Sequence, residues 1–110
     1  MLKPSNFVKI QISVPVKDAE KIRQILGRTG AGKQGNYEFC SGSIIQVGRF
    51  KPLKDARPAM GKIGKLEKVK EEVIQVICHK NLVKKVINEV KKVHPYEEPA
   101  IDIIPRYDIV

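Results

Sequence analysis

Hydrophobic and polar residues alternate strictly in "VKIQISV" (8–14). Val8, Ile10, Ile12 and Val14 share one face, and Lys9, Gln11 and Ser13 share the other, which predicts a half-buried strand. In "KDAEKIRQIL" the period changes to that of a helix. Ala19, Ile22, Ile25 and Leu26 form the apolar stripe, Lys21, Arg23 and Gln24 face outward, and Gly27 and Gly30 signal the helix end. A second extended segment is expected over residues 37–50, interrupted by Gly42 and Gly48, and then a loop from Lys51 to about Gly64. A third strand is expected over 67–78, with Ile74, Val76 and Cys78 on one face and Val73 and Ile77 on the other. The clearest helix is 81–93. Leu82, Val86, Val90 and Val93, widened by Val83 and Ile87, lie opposite Lys84, Lys85, Lys91 and Lys92, and Pro95 disfavours helix at His94. A last strand, 100–104, precedes Pro105.

The order β-α-β-β-α-β predicts one α+β domain over residues 1–110. Its expected fold is a ferredoxin-like sandwich, a four-stranded antiparallel sheet with two helices on one face. Two helices cover only one face of such a sheet. The other would present Val73 and Ile77 beside polar residues, so a homo-oligomer that buries this face is expected, and Val73→Lys should dissociate it.

Composition narrows the picture. Apolar residues make up 42% of 110, enough for one core, and no apolar run approaches the ~20 residues of a membrane span. The N-terminal stretch lacks the apolar run and small-residue cleavage site of a signal peptide, so a cytoplasmic setting is expected, with Cys40 and Cys78 as thiols. The net charge of +9 favours an anionic partner or a solvated lysine surface. The lysines are dispersed, and three Phe, three Tyr and no Trp supply a poor base-stacking platform, which argues against nucleic acid.

The stretch "GRTGAGKQG" (27–35) imitates a phosphate-binding loop. Gln34 stands where Ser or Thr would hold Mg²⁺, and the segment follows a helix rather than opening one. It reads better as a glycine-rich turn in which Arg28, Lys33 and backbone amides could hold an anion. "HPYEEP" (94–99) is the densest candidate for chemistry. His94, Glu97 and Glu98 could ligate a divalent ion, with Cys40 from a neighbouring subunit. As a structural connector, the same segment would depend on Pro95, Tyr96 and Pro99, and His94→Ala would be mild. Cys78 falls on an apolar face and reads as core. Cys40 or His94 as a catalytic group has little sequence support, since no Ser-His-Asp or Cys-His arrangement can be assembled.

"GAGKQGNYEFCS", "GRFKPLKDARPAMGKIGKLEKV" and "VHPYEEPAIDIIP" together resemble the small insert domain of the YqfO, or NIF-three-like, proteins. More distantly, "HPYEEP" resembles a segment of the CutA family, trimers related in fold to PII signalling proteins. The resemblance implies a CutA/PII-like fold and a tendency to form trimers or higher assemblies. The metal ligands of full-length YqfO-type proteins lie in a flanking domain outside this sequence, so their metal-dependent activity is not carried over. The resulting expectation is a non-enzymatic, oligomeric regulatory or ligand-binding module that presents the 48–66 loop and "HPYEEP" to a small anionic ligand, a metal ion or a protein partner. Its candidate ligand-binding residues are Arg28, Lys33, Asn36, Tyr37 and Tyr96. The alternative is a divalent-metal-binding protein using His94, Glu97, Glu98 and Cys40.

Overall fold

The computed structural model describes residues 1–110. The chain forms β1 (Leu2–Pro15), α1 (Ala19–Arg28), β2 (Gly42–Phe50), β3 (Glu67–His79), α2 (Val83–Val93) and β4 (Ala100–Ile109), with a single 3-10 turn before each helix. The four strands make one antiparallel sheet in the order β2-β3-β1-β4. This is the expected ferredoxin-like sandwich. No helix is long and apolar enough to cross a membrane.

The core lies between the sheet and the helices. Val8, Ile10, Ile12 and Val14 of β1 meet Ile74, Val76 and Cys78 of β3, under Ile22 and Leu26 of α1 and Val86 and Val90 of α2. Each such side chain contributes about 1.5–3 kcal/mol when fully buried. Cys78 is core as expected, and burial raises its thiol pKa. Arg23 of α1 bonds Glu72 of β3, fastening helix to sheet at the core's edge.

The glycine-rich stretch ends α1 rather than opening a phosphate site. Gly30, at φ 101°, lies just past the helix. Its amide donates to the Gly27 carbonyl (3.2 Å), and that of Ala31 donates to Leu26 (2.9 Å), the paired bonds of a Schellman cap. Gly32 then donates to the Ile77 carbonyl at 2.7 Å, on the edge of β3 beyond the end of β2. Residues 37–41 are therefore not strand. Gln34 and Tyr37 exchange backbone bonds in a tight hairpin, and Cys40 precedes β2 instead of lying within it.

Two strands exceed their predicted lengths. β1 begins at Leu2 and pairs with Ile109 at the far end of β4, past an irregularity between Pro4 and Val8. β4 runs through Pro105, which an edge strand tolerates because its outward side needs no donor. The open sheet face also differs in detail. Val73 does lie on it but is only 3% exposed within the single chain, so Val73→Lys would disturb folding itself. The exposed large apolar residues of this face include Ile44, 60% exposed, and Ile104, 38% exposed.

Gly32 gives a direct test of the turn. At φ 77°, a Cβ there would sit 2.4 Å from the Cys40 carbonyl oxygen, a backbone atom, whereas Gly35 has nothing within 4 Å. We expect Gly32→Ala to cost roughly 2–4 kcal/mol and Gly35→Ala about 1 kcal/mol, compared by urea denaturation.

Candidate functional site

The sequence brings two separated segments together over the open sheet face. The β2–β3 connection, residues 51–66, closes on itself through Gly64 N–H to the Pro52 carbonyl (2.7 Å) and Ala56 N–H to Leu53 (2.9 Å). The Arg57 amide then donates to Glu97 Oε1 at 2.7 Å, joining this loop to "HPYEEP". Between them lies a cleft of about 580 Å³. Phe50, Pro52, Leu53 and Met60 supply much of one wall, and Tyr96, Glu97 and Glu98 supply another. Its floor is Ser13, Gln46 and Glu71, one residue from each of three neighbouring strands.

A chain of hydrogen bonds fixes the floor. His94 is 7% exposed. Its Nδ1 accepts the Tyr96 amide at 3.1 Å, so the ring proton sits on Nε2, which donates to the Ser13 carbonyl at 2.9 Å. Burial holds the His94 pKa below its usual 6.5, opposed by the Ser13 carbonyl and the Asp18 and Glu71 carboxylates. The Tyr96 hydroxyl donates to Glu71 Oε2 at 2.7 Å, and Gln46 Nε2 donates to Glu71 Oε1 at 3.0 Å. Burial, then the bond to Glu71, pushes the Tyr96 pKa far up, so the phenol remains a donor at any ordinary pH. Gly48 leaves the room this carboxylate needs, because a Cβ there would fall 2.0 Å from Glu71 Oε1.

The candidate residues distribute unevenly. Tyr96, Glu97 and Glu98 line the cleft. His94 lies behind it, both ring nitrogens engaged, so the connector reading needs correcting: a buried, doubly bonded histidine is not a mild site for alanine. Arg28, Lys33, Asn36 and Tyr37 lie exposed on and beside the glycine turn. That turn packs beside Ile77, whereas Tyr96 sits beside Glu71, at the other end of β3. Several amides of the turn, those of Gly30, Ala31, Gly32, Gln34 and Tyr37, are bonded internally, leaving few for an anion. Cys40 borders a separate hollow of about 140 Å³ with Arg23 and Phe39, away from His94. The structure gathers no group of three or more His, Cys, Asp or Glu side chains suited to one metal ion, so His94, Glu97, Glu98 and Cys40 do not converge within one subunit.

Sequence reasoning missed Ser13, Gln46, Gly48 and Glu71. A signal was present for two of them. A glycine inside a strand often marks close approach of another group, and Glu71 shares the parity of Val73 on the open face.

His94→Ala should cost about 2–3 kcal/mol through the lost packing and the unpaired Ser13 carbonyl. Tyr96→Phe should cost about 1–3 kcal/mol by removing a donor from buried Glu71. Stability should also fall with pH. The unfolded chain binds a proton at His94 near pH 6.5, whereas the folded chain resists until its lower pKa, so the contribution present above 6.5 is lost as pH falls through that window. The slope is at most about 1.4 kcal/mol per pH unit. Urea titrations at pH 7.5 and 5.5 should show it, flattened in His94→Gln.

No family model matches the chain. It is similar to curated proteins named GTP cyclohydrolase 1 type 2 homolog: 43% identical over 97 residues to that of Bacillus subtilis, covering 88% of this chain and 26% of the relative. For Mycobacterium tuberculosis the values are 37% over 92 residues, 84% and 24%. The chain thus spans about a quarter of the length of these relatives. Among solved structures it resembles a Bacillus cereus protein related to NIF3, with a TM-score of 0.80 at 37% identity, covering 96% of this chain and 26% of that one. It also resembles the periplasmic divalent cation tolerance protein CutA of Archaeoglobus fulgidus, with a TM-score of 0.69 at 24% identity, covering 94% and 87%, a likeness of fold alone. In fold the chain is CutA/PII-like, and in sequence it is similar to a stretch about one quarter the length of NIF3/YqfO-type relatives.

Proposed function

We propose that the chain is a non-enzymatic, oligomeric binding module whose 48–66 loop and "HPYEEP" segment hold a small ligand between them. The observation that carries this reading is the cleft itself. Two segments far apart in sequence close over one concave surface, pinned by the Arg57–Glu97 bond, with a mostly apolar wall and a few fixed polar groups on the floor. That combination is the usual chemistry of a small-molecule site. Assembly as a trimer is the companion expectation. It is supported by the CutA/PII-like resemblance and by the exposed Ile44 and Ile104 on the sheet face that the helices leave open.

Native mass spectrometry of the freshly purified protein should detect a bound small molecule. Ala59→Trp, an exposed residue on the loop wall, should fill the cleft and abolish that adduct without unfolding the chain. A wild-type protein with no adduct, and no response to any small molecule in a thermal-shift screen, would overturn the reading. Light scattering at micromolar concentration should give an oligomer, and Ile44→Lys should shift it toward monomer while preserving the circular dichroism spectrum. A monomeric wild type would remove the assembly part alone.

A further inference from the structure

The cleft floor holds a carboxylate that forms no ion pair within the chain. Glu71 is 7% exposed, yet both groups bonded to it, the Tyr96 hydroxyl and the Gln46 amide, are neutral donors. The ion pairs of the chain involve Asp18, Glu20, Glu67, Glu72 and Glu89, and none involves Glu71. A buried carboxylate without a cation is costly, and the cost falls when a cation arrives. Each oxygen of Glu71 has received one donor and retains capacity for another.

The surroundings repeat the pattern. Glu97 and Glu98 also line the cleft, and neither is in an ion pair. Three of the chain's twelve acidic residues therefore line this one cleft, without converging on a single point, in a protein of net charge +9. Arg49 and Lys51 border the β2 side without pairing with these carboxylates. The ring of Tyr96 adds a π face that attracts cations. A bare metal ion suits this place poorly. No three ligating side chains converge, and Phe50, Pro52, Leu53 and Met60 offer apolar carbon instead of oxygen ligands.

We propose that the cleft takes a small organic cation, a primary ammonium carried on an apolar body. The ammonium sits against Glu71 on the floor and Tyr96 of the wall beside it, with Glu98 at the lip, and the apolar body lies along the Phe50–Met60 wall. The proposal rests on the cleft being the ligand site and adds the class of ligand.

Calorimetric titration with hexylamine, 1-hexanol and hexanoate tests it. Hexylamine should bind wild type at least roughly tenfold tighter than hexanol, and hexanoate should not bind. Glu71→Gln, nearly isosteric, should weaken hexylamine by roughly tenfold or more and leave hexanol unchanged. Glu98→Gln, at an exposed position where folding is not at issue, should weaken hexylamine by about two- to fivefold. Hexanol or hexanoate binding as tightly as hexylamine would overturn the cationic class while leaving the cleft as a ligand site. Failure of all three probes, together with no adduct sensitive to Ala59→Trp, would defeat both. If wild type ignores hexylamine and Glu71→Gln dissociates the oligomer in light scattering, the cation comes from a second copy and the small-amine proposal fails.

Discussion

The carbonyl of Ser13 and the imidazole of His94 connect parts of the molecule that would otherwise meet only through apolar contact. β1 passes under the end of α2, and the His94 Nε2–H bond to Ser13 holds the end of that helix against the central strand. Because Nδ1 of the same ring accepts the Tyr96 amide, the position of β1 sets the position of Tyr96. Tyr96 sets Glu71 on β3, and Glu71 sets Gln46 on β2. Four elements are thereby fixed by bonds that each have one good geometry, whereas hydrophobic burial alone would tolerate small shifts. "HPYEEP" is thus a structural connector and a wall of the cleft at once.

The same chain explains the uneven legibility of the sequence. Strand alternation in 8–14 and helical spacing in 81–93 reflect single faces buried against one core, so local pattern suffices to find them. β4 runs past the end that the sequence predicts because Pro105 reads as a stop, and only its place at the sheet edge makes it harmless. The strand expected over 37–41 failed for a local reason. The turn at Gly35-Asn36 folds Tyr37 back on Gln34, and the chain reaches the sheet only at Gly42.

The site was less readable because it is assembled by tertiary contact. Tyr96, Glu97 and Glu98 stood out through their crowded hexapeptide, but Ser13, Gln46 and Glu71 look like ordinary outward residues of three different strands. Val73 shows the same limit. Its parity gave the face correctly, yet parity says nothing of how far neighbouring side chains cover it. His94 reads in the sequence either as part of a connector or as a metal ligand, because sequence cannot show that both ring nitrogens are bonded.

The ribbon formed by the first residues of β1 and the last of β4 has a mechanical consequence. Met1 and Val110 bond each other, Val110 N–H to the Met1 carbonyl at 2.9 Å and the Met1 ammonium to the Val110 carbonyl at 3.3 Å. The two ends therefore lie about one strand spacing apart, ~5 Å. A chain joined at both ends to a larger body would be held on a two-stranded stalk, entering and leaving at one point. Tension across those ends acts along the inter-strand hydrogen bonds and loads them one pair after another, as in a zip, instead of shearing the whole ladder at once. The stalk would yield first, at low force, while the sheet and cleft beyond residue 7 remained folded.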